Sequence, residues 1–181
     1  DLKRKDYKSF FKSFQKKSYW KFCDFYSSLP NNQDIVVFNN LKKQGLISKD
    51  DVIINGQTGD FISGGHIPQI LTNKKTSIKA LINKIIEKHY GLWINLQTEE
   101  NKEIIYQIIK KKLSKIDKYN PSLEEYFEYW EYEERQSKFI ISGQKTYDFL
   151  NIKWELPFWD LSYVEFWRNI PTYYKINQNL Y

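Results

Sequence analysis

The chain has 181 residues and carries 28 Lys+Arg against 22 Asp+Glu, a formal charge of +6, which suits one domain with a core of its own. Apolar residues at 41% and aromatics at 18% exclude a disordered polymer, and no apolar run approaches the ~20 residues of a membrane-spanning helix. One cysteine, Cys23, excludes an intrachain disulfide framework, and with only His66 and His89 beside it a Cys/His structural zinc site is excluded too.

Positive charge gathers early: eleven of the Lys/Arg residues fall in the first 49 positions, against four acidic residues. The aromatics Tyr7, Phe10, Phe11, Phe14, Tyr19, Trp20, Phe22, Phe25 and Tyr26 recur there at spacings of three and four, the pattern of a helix face meeting a core. A nucleic-acid platform would also mix rings with lysines, but on an exposed sheet or loop, so core packing is the expected role and nucleic acid is not an expected partner. Ser27, Ser28, Leu29, Pro30, Asn31 and Asn32 form a turn. The next helix runs through Val36, Phe38 and Leu41 and stops at Gly45. Val52-Ile53-Ile54 reads as a buried strand entering a loop at Asn55-Gly56.

Beyond that loop, Ile78, Leu81, Ile82, Ile85 and Ile86 follow helical spacing, as do Ile104, Ile105, Ile108, Ile109 and Leu113 after Thr98-Glu99-Glu100. Ser122 and Glu125 have the spacing of a capping box. They open a long helix expected to run through Trp130 and Arg135 to Ile141, with an acidic face of Glu124, Glu125, Glu128, Glu131, Glu133 and Glu134. Trp154, Trp159 and Trp167 are expected to be packing residues. Cys23 and His89 have no recognisable nucleophile setting and read as structural. The sum is one strand and about half a dozen helices, a mostly α chain.

Chemistry concentrates in the loop from Asn55 to Pro68, which holds four glycines, Thr58, Ser63, Asp60 and His66. Glycines after a strand let backbone N–H groups approach an anion closely, and phosphate is the natural guest. The loop has neither the Gly-x-x-x-x-Gly-Lys-Ser/Thr pattern nor the Gly-x-Gly-x-x-Gly pattern of common nucleotide folds. Asp60 suits a magnesium ion that bridges phosphates; the competing reading is a structural turn in which Asp60 caps the next element. His66 is either a donor to a phosphate or sugar, or a structural histidine before Ile67-Pro68.

The loop resembles the second signature loop of the asparagine synthetase family, Gly-Asp-Gly-Ala-Asp-Glu-Leu-Phe-Gly-Gly-Tyr. Aligned on the last Gly-Gly, Gly56, Asp60, Ile62, Gly64 and Gly65 match or are similar. The stretch from Leu156 through Pro157-Phe158-Trp159-Asp160 to Phe166 is similar to the family's Val-Pro-Phe-Leu-Asp-x-x-Leu-Val-Glu-Phe, and Asn169-Ile170-Pro171 resembles the helix end that follows it. The wording Asn-Gly-Gln-Thr-Gly-Asp-Phe-Ile-Ser-Gly-Gly-His-Ile-Pro more closely resembles the asparagine synthetase-like proteins of bacterial surface-polysaccharide gene clusters.

The resemblance implies the C-terminal part of an α/β adenine-nucleotide α-hydrolase-like synthetase domain, mostly α with a short remnant of parallel sheet. It implies ATP and Mg2+ as cofactors and a small carboxylate or sugar precursor as substrate. ATP would activate the carboxylate as an acyl-adenylate, and an amine would then displace AMP to form an amide. Gly56, Gln57, Thr58, Gly59 and Asp60 would bind nucleotide and pyrophosphate, Asp60 would also hold the metal, and Asp60 and Lys153 would be catalytic. His66, Arg135, Lys138 and Glu155 would contact substrate.

Three departures stand beside this. The family's Ser-Gly-Gly-x-Asp-Ser loop is not among the 181 residues, Gln57 and Phe61 replace an Asp and a Glu, and Lys153 and Glu155 replace the Glu and Arg of Glu-x-Arg-Val-Pro-Phe-Leu-Asp. With no methionine even at position 1, the 181 residues are expected to be a trimmed chain or a piece of a longer protein. An upstream ATP-loop segment or a glutaminase is then an expected partner, and a cytoplasmic location follows from the lack of a leader pattern. The alternative expectation is an inactive remnant, or a partner subunit that binds nucleotide or protein without turnover.

Overall fold

The computed structural model describes residues 4–25 and 29–181, without the side chain of Phe25; Tyr26 and the Ser27-Ser28 part of the expected turn lie outside the described residues. In chain order the structure has α1 (Arg4–Phe11), α2 (Phe14–Phe25), α3 (Asn32–Lys43), β1 (Val52–Ile54), α4 (Gly59–Ile62), α5 (Ile78–Tyr90), α6 (Glu99–Leu113) and α7 (Leu123–Trp130). A π-helical segment, Glu131–Ile141, follows α7, and then come α8 (Lys145–Leu150), β2 (Lys153–Glu155), α9 (Leu161–Arg168) and α10 (Thr172–Lys175). The chain is therefore mostly helical with a two-stranded parallel sheet. Among the described residues no helix is long and apolar enough to cross a membrane. Contacts divide the chain into two units, Asp1–Gly59 with Glu134–Glu165, and Asp60–Glu133 with Phe166–Tyr181.

The first unit packs Phe10, Tyr19, Cys23, Ile35, Val36, Tyr147, Leu150 and Ile152 into one core. The expected aromatic face is thus partly a core face, but it is split between two helices, and Phe14 is 83% exposed. The split falls at Ser13, whose Oγ accepts the amide of Lys16 at 3.2 Å and so starts a second helix. Buried Tyr19 has partners on both sides: its Oη accepts the Asn31 amide at 2.8 Å and lies 2.8 Å from Thr146 Oγ1. Asn31 caps α3 through its side chain, and Gly45 follows that helix at φ +70°, the left-handed conformation expected of a terminating glycine.

The short remnant of parallel sheet that the resemblance implies is present, while the burial expected of β1 is not. A second strand, Lys153–Glu155, pairs in parallel with β1 in the register Val52↔Lys153, Ile53↔Trp154, Ile54↔Glu155. Its polar-aromatic-polar alternation over three residues is too short to stand out as a strand. In addition, β1 is not buried as its β-branched run suggests: Ile53 packs on the core with Trp154, whereas Ile54 is 61% exposed and Val52 42%. Side chains alternate across a strand, and only one face of this small sheet meets a core.

The second unit is built on α5, α6 and α7, which bury Leu81, Ile82, Ile85, Ile109, Leu113, Phe127 and Trp130. Each helix starts on a side-chain cap, from Ser77, Thr98 and Ser122, and the last is the expected capping box with Glu125. The long helix expected to continue to Ile141 does not stay α-helical. Glu131 and Gln136, both fully buried, are five residues apart, the spacing of an i→i+5 ladder, and the segment adopts that ladder. The acidic face is therefore not simply solvated, because Glu131 is 0% exposed. Gly64 illustrates how closely this unit packs: it has φ +87°, and a Cβ there would lie 2.6 Å from Lys175 Cβ and from its carbonyl oxygen. Only glycine fits that position.

Candidate functional site

The loop after β1 begins in the first unit. The Asn55 amide bonds the carbonyl of Glu155 at 3.0 Å, so the parallel pair continues one step past the strands before the chain leaves the sheet. Because the strands are parallel, the loop after β1 and the Leu156-Pro157-Phe158 segment after β2 leave the same end. They touch: a Cβ on Gly59 would lie 3.2 Å from the Phe158 ring, and one on Gly56 3.7 Å. The region beyond the carboxyl ends of parallel strands is where α/β sheets bind small molecules.

Amide side chains and a phenol hold the loop. Asn55 Oδ1 accepts the Gln57 amide at 3.0 Å, and Asn55 Nδ2 donates to Gln144 Oε1 and Tyr147 Oη, each at 3.2 Å. Gln144 Nε2 donates to Gln57 Oε1 at 2.7 Å and to the Ile140 carbonyl at 2.9 Å. Burial pushes the Tyr147 phenol up, despite its hydrogen bond to Asn55, and keeps it protonated. Gln144 and Tyr147 are site residues that sequence reading misses, because nothing in the stretch Ser142-Gly143-Gln144 marks a buried amide.

Thr58 is the unusual residue. Its φ is +82°, a rare conformation for a β-branched side chain, and its buried Oγ1 has no hydrogen-bond partner among the described residues. Strain and an unsatisfied hydroxyl together are the kind of local penalty found at functional sites. Thr58→Gly is expected to raise unfolding stability by about 1 kcal/mol in urea titrations, because glycine tolerates that φ and removes the orphaned hydroxyl. A stability loss would show that the threonine is favourable where it stands.

The later part of the loop belongs to the second unit. Asp60 has an exposed carboxylate whose Oδ1 receives Gln178 Nε2 at 3.5 Å, while its backbone carbonyl accepts the Gly65 amide at 2.8 Å. Among the described residues no group of three His, Cys, Asp or Glu can hold a metal ion. Asp60 stands there as a single exposed carboxylate, and a magnesium ion held mainly by phosphates and water would need only one or two such groups.

His66 is half-buried and belongs to a charged cluster that sequence reading misses. Glu131, 0% exposed, takes His89 Nε2 at 2.6 Å and Lys88 Nζ at 3.0 Å on one oxygen. Lys88 Nζ also lies 3.0 Å from His66 Nδ1, which is 3.9 Å from the other Glu131 oxygen. Burial alone would raise the Glu131 carboxyl, but the His89 hydrogen bond and the Lys88 charge outweigh it and hold it below the usual carboxylate range. His89 is therefore a hydrogen-bond partner of a buried carboxylate. Cys23 is a buried free cysteine whose thiol burial pushes up, and it remains a core residue.

The other expected site residues are spread within the first unit. Lys153 and Glu155 share the exposed face of β2, Glu155 at the loop end and Lys153 two residues below it, about 7 Å away by strand rise. Arg135 and Lys138 lie on the π-helical segment, where Lys138 is ion-paired with Glu134. Asp160 caps α9: its Oδ1 accepts the Ser162 hydroxyl and the Ser162 amide at 2.9 Å, and these bonds lower its carboxyl. No family model, curated protein or solved structure matches the chain.

Proposed function

We propose that this chain is the C-terminal part of an asparagine synthetase-like, ATP-dependent amide-forming enzyme that acts on a small carboxylate or sugar precursor of surface polysaccharide. One observation carries the reading: the two segments that resemble the family's motifs leave the same end of one parallel strand pair and pack together at Gly59 and Phe158. Residues far apart in sequence but assembled at one strand end are what a shared binding site requires.

In this reading the backbone and side chains of residues 56–59 receive the pyrophosphate of ATP, and Asp60 meets the magnesium that the nucleotide carries. Charge that develops on the leaving pyrophosphate is stabilised by donors already fixed in place, which lowers the barrier without reorganisation. Glu155, at the loop end of β2, is the group of the first unit assigned to the acceptor in this reading, with Lys153, Arg135 and Lys138 of the same unit as further substrate contacts; His66, in the second unit, keeps the substrate role that the resemblance implies. Pyrophosphate release from ATP by the full natural protein, with a panel of sugar acids and ammonia as co-substrates, tests the reading. Co-substrate-dependent release supports it; nucleotide binding without release under every condition favours an inactive remnant or partner subunit.

A further inference from the structure

Resting on that proposed role, the amide network fixes what the loop offers to an anion. A carbonyl only accepts, so the Gln144 atom 2.9 Å from the Ile140 carbonyl is Nε2. The same nitrogen lies 2.7 Å from Gln57, so the Gln57 atom facing it is the acceptor Oε1. A backbone amide only donates, so the Asn55 atom 3.0 Å from the Gln57 amide is Oδ1, and Nδ2 is then the donor to Gln144 Oε1 at 3.2 Å. Turning any one of these amides over sets acceptor against acceptor or donor against donor.

Gln144, 2% exposed, is thereby fully engaged. The acceptor of Gln57 is held inward, and its Nε2, on a half-buried residue, has no partner among the described residues. Next to it in sequence, the buried Thr58 hydroxyl also has none. Position 57 thus carries a neutral amide with two uncommitted N–H donors where the loop it resembles carries a carboxylate. A carboxylate approaches a phosphate oxygen only across a cation, whereas an amide donates to it directly.

We infer that Gln57, positioned by Gln144, is a direct neutral donor to a phosphate-type oxyanion at this loop, so that holding the anion does not require a divalent cation.

Calorimetric titration of inorganic pyrophosphate into the full protein, in EDTA and in magnesium, tests this. The wild-type protein is expected to bind in EDTA within tenfold of its affinity in magnesium. Gln57→Glu, nearly identical in shape, is expected to lose tenfold or more in EDTA and to recover in magnesium. Gln144→Leu is expected to weaken binding in EDTA in the wild-type background and to have no further effect in Gln57→Glu, the non-additivity of a residue that acts through another. Wild-type binding only in magnesium overturns the inference and leaves the proposed function standing. Binding in EDTA that Gln57→Glu does not change removes Gln57 from the site. No pyrophosphate binding in either medium overturns both the inference and the role proposed for the loop.

Discussion

Asp60→Asn in the full-length protein is expected to lower ATP-dependent pyrophosphate release by about a hundredfold or more, the scale on which removal of one preorganised transition-state contact is felt. The fold does not depend on the carboxylate. It is exposed, its contact from Gln178 is long at 3.5 Å, and the bond that shapes the turn comes from the backbone carbonyl, which the substitution retains. Unfolding stability should therefore stay within about 0.5 kcal/mol, as for surface changes away from buried features. Asparagine keeps the shape and loses the charge that attracts a hard cation. The residual activity should thus need more magnesium, which a metal titration of turnover reads directly. Turnover with an unchanged magnesium midpoint removes Asp60 from the site.

Much of the helical framework is legible in the sequence because its signals are local. Ser77, Thr98 and Ser122 cap the helices they precede, and the isoleucines of α5 and α6 fall at core spacing. The site is legible only in part. Four glycines after a β-branched run mark the loop, yet the groups that hold it, Gln144 and Tyr147, come from 89 and 92 residues downstream of Asn55 and look like ordinary helix residues. The same limit hides β2, which exists because β1 offers it a partner at residues 52–54, and a pairing partner is not a property of the three residues Lys153, Trp154 and Glu155. The π-helical segment escapes for another reason. Its buried positions, Glu131 and Gln136, are polar, and periodicity reads only the spacing of apolar side chains.

Glu131→Gln tests the largest of these hidden features, with an expected stability loss of about 2 kcal/mol at neutral pH. The carboxylate is fully buried, and Lys88 and His89 reach it from α5 while His66 stands 3.9 Å away on the loop. Hydrogen bonds to a charged group contribute about 1.5–3 kcal/mol each. Lys88, with its side chain 31% exposed, recovers part of that by turning to water when its partner becomes neutral. The pH dependence has a definite sign. The folded carboxyl lies below its usual value, so its contribution is fully present above the unfolded-state carboxyl pKa of about 4.3 and disappears as pH falls through the folded value. Below that point the wild-type side chain is itself neutral and resembles the glutamine. The difference between wild-type and variant unfolding free energies, measured in urea from pH 7 downward, should therefore shrink toward zero at the acid end. A difference that stays constant with pH would mean that the loss comes from packing and not from the charge that pairs Glu131 with Lys88 and His89.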